Sequence, residues 1–248
     1  MWKECEPILP PAGLRSSSSA APWCYGRFMQ EAHPANLSPF SETGFRELAR
    51  AALSDAAPIA DPDGLATPSD FDLSPELIGT VANAPLMPAA VLIPVVARDE
   101  LMVLLTQRTA GLPRHAGQIA FPGGRVEPSD RDPAAAALRE AQEEIGLDPS
   151  FVEPLGYLDV YRTQTGFRIY PVVSLVREGF TLQLDEREVS DAFEVPLAFL
   201  MDERNHRTET RTWLGVERRF YAMPFEQRYI WGVTAGIMKN MHRRLFAE

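Results

Sequence analysis

GGRVEPSDRDPAAAALREAQEEIGL, residues 123–147, decides how this chain is read, and its last third carries most of the information. Asp132 suits a helix N-cap, Pro133 the first helical position where a missing N–H costs nothing, and Gly146 the residue just past the last turn. Between these marks Ala134, Ala137, Leu138, Ala141 and Ile145 recur at helical spacing, which predicts an amphipathic helix with that stripe toward a core. Arg139, Glu140, Glu143 and Glu144 then fall on or beside the opposite, outward face. Residues three and four apart are helical neighbours, so the three carboxylates converge on one small volume next to the glycine-turned loop FPGG, Phe121–Gly124. A hard divalent cation that prefers oxygen ligands and carries phosphate substrates suits that volume. By itself REAQEE would be an ordinary ion-paired surface; the ordered string from FPGG to the closing glycine sets it apart.

That string resembles the Nudix box, G-x5-E-x7-R-E-U-x-E-E-x-G-U with U a bulky aliphatic. With Gly124 as the first glycine, Asp130 stands at the first glutamate, followed by Arg139, Glu140, Glu143, Glu144, Gly146 and Leu147. Asp130 replaces glutamate, eight residues rather than seven separate it from Arg139, and Ala141 is smaller than usual. These departures leave the acidic end of the helix intact. A narrower resemblance lies upstream, where LLTQRTAGLPRHAGQIAFPGG, Leu104–Gly124, is similar to the extra signature of the coenzyme A diphosphatase branch, L-L-T-x-R-[SA]-x3-R-x3-G-x3-F-P-G-G. Leu104, Leu105, Thr106, Arg108, Gly117 and Phe121–Gly124 match in register, whereas Thr109 replaces Ser or Ala and Pro113 replaces the second arginine, with Arg114 one place on. YIWGVTAGI, Tyr229–Ile237, looks like the C-terminal helix of the same branch.

The resemblance implies an α/β fold, a Nudix-type α/β/α sandwich with a mixed central sheet, and Mg2+ or Mn2+ as cofactor. Glu140 and Glu144 are the expected main metal ligands, with Glu143 a third or water-mediated one. It implies metal-assisted attack of water on a diphosphate, with Glu143, Arg139 and Glu188 as the catalytic set; Arg139 is expected to orient a glutamate through an ion pair. Glu188, then Glu186, is the expected general base, from the acidic segment DEREVSD, Asp185–Asp191. Arg108, Arg114 and His115 offer phosphate-binding groups close to the metal loop, because guanidinium grips phosphate oxygens bidentately. Gly123 and Gly124 complete the expected substrate-binding set. The substrate implied is coenzyme A or its thioesters, cut to 3′,5′-ADP and 4′-phosphopantetheine. A general nucleoside-diphosphate hydrolase acting on ADP-ribose or NADH is the alternative that the displaced arginine keeps open. A non-catalytic nucleotide sensor is a third reading, disfavoured because all three glutamates are retained.

The rest of the chain bounds these expectations. With 248 residues, 45% apolar, it can bury one sizeable core. A net charge of −10 argues against a broad nucleic-acid surface and makes a divalent ion the natural bridge between acids and phosphate. The expected partner is therefore a small molecule, with no nucleic acid and no membrane, and with a homodimer as the candidate assembly. Cys5 and Cys24 read as reduced, incidental thiols, consistent with a cytoplasmic protein. Residues 1–35, rich in Pro, Ser and Ala, are expected to be a disordered tail, with Met29 an alternative start. Residues 36–75 read as an amphipathic helix (Phe45, Leu48, Ala49, Ala52) followed by a Pro/Asp-rich linker, and 76–248 as the hydrolase domain. Strands are expected at Ala89–Ala97 and Leu101–Arg108 as a hairpin, on both sides of Gly166, in EVSDAFEVP and in ERRFYAMPF. Pro171 should mark an edge or a bulge.

Overall fold

The computed structural model describes residues 37–58, 67–80, 85–111, 115–213 and 216–247. The expected tail, Cys5, Cys24 and Arg114 lie outside them.

Strand β1 (Met87–Ala97) is the hub. Its sequence MPAAVLIPVVA is apolar almost throughout, as a strand covered on both faces requires. Ala89, Ile93 and Val95 join one core cluster, and Ala90, Leu92 and Val96 the other, following the pleat. On one side β1 runs parallel to β7 (Phe167–Val176). On the other it pairs antiparallel with β4 (Gly123–Arg125) and then, further along, with β2 (Leu101–Arg108). The sheet continues from β2 to β3 (Ile119–Ala120) and β8 (Val189–Pro196), and from β7 to β5 (Val152–Tyr157) and β6 (Tyr161–Arg162). One parallel pair among antiparallel ones makes it a mixed eight-stranded sheet.

Helix α2 (Pro133–Ile145) lies on one face, packing Ala137, Ala141 and Ile145 against Leu92, Leu104 and Val172. Helices α1 (Glu42–Ala52), α3 (Leu197–Met201) and α4 (Val233–Leu245) cover the other, where Phe45, Leu197, Ile237 and Met241 meet Ile93, Val95 and Leu105. The result is the expected α/β/α arrangement. No helix among the described residues is long and apolar enough to cross a membrane.

Four local features differ from expectation. Pro171 is inside β7, not at an edge; it sits where the neighbouring chain passes from β5 to β6, so its missing N–H falls at a break in pairing. Residues 67–74, read as linker from composition, are packed in: Phe71 is 3% exposed, Ser69 and Ser74 are buried, and Asp70 N donates to Arg162 O. A separate sheet of β9 (Arg207–Trp213), β10 (Val216–Phe225) and β11 (Arg228–Trp231) precedes α4, of which only β10 was expected. RTETRTW has no apolar face to betray a strand, and Tyr229–Trp231, taken as helix, instead pairs with β10 before Gly232 (φ 64°) turns the chain. Finally, Glu144 does not face outward: it follows Ala137 by two turns and is buried with the stripe.

Candidate active site

The site is assembled by the C-terminal half of α2, the short strand β4 and the end of β2. Helix α2 is fixed as its caps foretell: Asp132 Oδ1 accepts from Ala135 N at 2.8 Å, and Gly146 adopts the left-handed conformation (φ 67°). Gly123 N donates to Glu144 Oε2 at 3.1 Å, tying β4 to the helix. A side chain on either glycine of the loop would collide, with backbone at Gly123 and with the movable end of a side chain at Gly124. A Cβ on Gly123 would lie 2.4 Å from Ala90 O, at a φ of +154°, and one on Gly124 would lie 2.4 Å from Glu140 Cδ. The Glu140 carboxylate therefore occupies the space over Gly124.

Arg139 is engaged entirely by the protein. Its Nε and Nη2 grip Asp130 at 3.0 and 3.1 Å, Nη1 reaches Glu140 at 3.0 Å and Glu143 at 3.1 Å, and Nη2 also donates to Arg125 O. Asp130, despite being the shorter acid, spans the Nε–Nη2 edge of the guanidinium with both carboxylate oxygens. Hydrogen bonding to Arg139 holds the Asp130 carboxyl below its ordinary range.

Glu144 is 6% exposed, with Arg108 Nη1 4.0 Å from Oε1. Burial pushes its carboxyl up to about 7; the Gly123 N–H and Arg108 oppose the shift, and the charges of Glu140 and Glu188 reinforce it. Burial likewise raises Glu140, against the pull of Arg139. The expected convergence of three acids needs correction. Glu143 is 61% exposed and turned to Arg139, which Glu140 shares, so no group of three or more His, Cys, Asp or Glu side chains among the described residues stands as a ready cage. The donor set nevertheless fits a hard dication: two carboxylates, one buried, both have raised proton affinity, and Glu144 has only the Gly123 N–H and a guanidinium 4.0 Å away to offset its burial and the charge of Glu140. Glu140 and Glu144 would hold such an ion, with Glu143 beyond them.

The remaining expected residues are placed as follows. Arg108 ends β2, and its Nε is buried with no hydrogen-bond partner. Thr109 N donates to Glu188 O, which brings Glu188 beside that end; its side chain is exposed, and its charge is felt by both Glu140 and Glu144. Glu186 is bound through its carbonyl to Thr109 Oγ1 and has no comparable influence on the two glutamates. His115, exposed at φ 58°, pairs through Nδ1 with Gln118 Oε1 at 2.8 Å. Arg108, His115 and Gly123 all line one cavity of about 750 Å³. Its walls are largely apolar, and they include Asp70, Tyr161, Gln164 and Arg218, none of which local sequence patterns single out. Tyr161 Oη and Gln164 N both donate to Asp70, contacts spanning about ninety residues of chain that no local motif encodes.

A family model described as NUDIX domain matches residues 86–214, just over half of the chain. The chain belongs to the Nudix family. The Nudix hydrolase NudL of Escherichia coli K12, described as uncharacterized, is 42% identical over 153 residues, 62% of this chain and 80% of that one. The NudL of Shigella boydii serotype 18 matches to the same extent. Among solved structures, the Nudix domain of Shewanella oneidensis NrtR, complexed with ADP ribose, is 18% identical, covers 69% of this chain and 98% of its own, and aligns with a TM-score of 0.41. DR0079 of Deinococcus radiodurans is 14% identical with a TM-score of 0.43, covering 67% and 88%. This Nudix protein is thus a hydrolase acting on diphosphates of the nucleoside diphosphate-X type, in a family whose members generally use divalent metals.

Proposed function

We propose that this Nudix hydrolase cleaves the diphosphate of coenzyme A and its thioesters, giving 3′,5′-ADP and 4′-phosphopantetheine. The observation that carries the reading is the β2–β3 segment, whose signature residues bring Arg108, with an unpartnered Nε, to the edge of Glu144 and into the wall of the large cavity. A cavity of this size with mainly apolar walls suits a long, partly apolar arm attached to a diphosphate. Glu140 and Glu144 hold Mg2+ or Mn2+, which when bound supplies Lewis acidity and charge neutralisation at the diphosphate. Arg108 presents its free donors to phosphate oxygens. Arg139 keeps Glu140 in place over Gly124. Glu188, exposed beside Glu140 and Glu144, takes the proton from the attacking water. Water adds to one phosphorus, the bridging P–O bond breaks, and the leaving phosphate carries away the bridging oxygen.

The second reading, ADP-ribose or NADH as substrate, is favoured by Pro113 at the position of the signature's second arginine. Incubation of the purified chain with coenzyme A and Mg2+ or Mn2+, with products identified by mass spectrometry, separates the two. Release of 3′,5′-ADP and phosphopantetheine by the wild type and not by E144Q supports the proposal. Turnover of ADP-ribose or NADH with coenzyme A left intact overturns it. E188Q is expected to lower kcat roughly a hundredfold or more, a general base being worth about that much.

A further inference from the structure

The cavity has a second polar stretch of wall, away from the acidic helix, made by β9, β10 and the turn at Gln164. Arg211 and Arg218 are directly opposite each other in the β9–β10 register. Like charges directly opposed on a sheet repel, so the pair costs stability unless something anionic lies over it. Arg211 is exposed and has no ion pair among the described residues. Arg218 donates through Nη1 to Gln164 Oε1, yet its Nε is buried with no hydrogen-bond partner, and buried unpaired donors call for an explanation. Asp70 is the acid that couples to Arg218, but its oxygens are taken by Tyr161 and Gln164, and Glu209, on the face of Arg211 and opposite Phe220, accepts from Tyr229 Oη. Along the same face of β10, two residues from Arg218, is Phe220, in edge contact with Trp231 at 5.2 Å. Both rings line the cavity. A cation pair beside an aromatic edge is the chemistry that takes a phosphate next to a stacked base.

We infer that Arg211 and Arg218 bind a phosphate carried on the ribose of the substrate's nucleotide half, while Phe220 and Trp231 flank its base. The inference rests on reading Glu140, Glu144 and Arg108 as the diphosphate end, since it is the placement of the diphosphate there that makes this a second, separate anion site. It makes the protein selective for nucleotides phosphorylated on the sugar, and it supplies a selective contact that Pro113 does not.

Two measurements test it. Calorimetric titration compares 3′,5′-ADP, 2′,5′-ADP and AMP as ligands of the wild type, R211Q and R218Q. The bisphosphates should bind the wild type about tenfold or more tightly than AMP, with the preference lost in either variant, one charge-assisted phosphate contact being worth at least that factor. Equal binding of all three by the wild type, or a preference that survives both substitutions, overturns the subsite. Steady-state hydrolysis then compares coenzyme A with its form lacking the 3′-phosphate, and the ratio of kcat/KM should fall toward one in R211Q. A bisphosphate preference lost in the variants, with coenzyme A not cleaved at all, would retain the subsite and reject the substrate assignment. A stronger preference for 2′,5′-ADP would do the same. R211Q alters an exposed side chain, so its fold serves as the check on R218Q, whose side chain is half-buried.

Discussion

Glu144 is where fold and chemistry pull in opposite directions. Its carboxyl, moved from an ordinary 4.5 up to about 7, keeps a proton in the folded state over an interval in which the unfolded chain has lost it. Metal-free stability therefore falls as pH rises from about 4.5 to 7, by roughly 3 kcal/mol at about 1.4 kcal/mol per unit. E144Q keeps an acceptor for Gly123 N and removes the buried charge. At pH 8 in chelator it should melt several degrees above the wild type while losing turnover, and Mg2+ should raise the melting temperature of the wild type alone. A lower melting temperature for E144Q under those conditions would show that the charge is not strained. Glu140, Glu143, Glu144 and Arg139 were readable because one helix carries them all. The approach of Arg108 to Glu144 was not, since it joins residues from separate elements, and the burial of Glu144 was hidden by counting it with the polar face.

At the level of elements, β4 shows why two adjacent glycines should fail in different ways. G123A would drive a methyl into the backbone of β1 at a conformation that favours glycine, so the expected loss is stability, about 3 kcal/mol or more. G124A meets only the end of the Glu140 side chain, which can swing aside. It should fold, with a melting temperature close to the wild type, and lose roughly a hundredfold or more in kcat. Thermal melts and steady-state rates on the two variants check this, and the same phenotype from both would refute the distinction. Helix α2 was legible to its caps because Asp132, Pro133 and Gly146 state its ends locally. Strand β9 was not, because its polar residues become a strand only through pairing with β10, and residues 67–74 were misread because Pro and Asp composition conceals the burial of Phe71.

Across the whole molecule, the α/β/α layering followed from the two apolar strands and the helix, whereas the cavity depends on contacts among distant segments. One such junction carries its own pH dependence. His206, before β9, and His242, on α4, meet at 5.3 Å, and burial lowers both below the ordinary imidazole range, with Lys239 adding to the shift and Glu203 opposing it. Below about pH 6.5 the unfolded chain takes up protons that the folded one still refuses, so stability is lost as pH falls through that region. In the E144Q background, with the opposing contribution of Glu144 removed, the melting temperature should drop between pH 7.5 and 5.5, and H242Q should flatten the drop. A slope unchanged by H242Q would remove these histidines from the account. The pairing of β1 has one more consequence. The strand that anchors β4 also holds β2 and β7, so the loop presenting Gly123 has no hinge of its own. Heat should not silence this enzyme before it melts: the curve of inactivation and the curve of unfolding should coincide, leaving no temperature at which an intact sheet carries a slack catalytic loop.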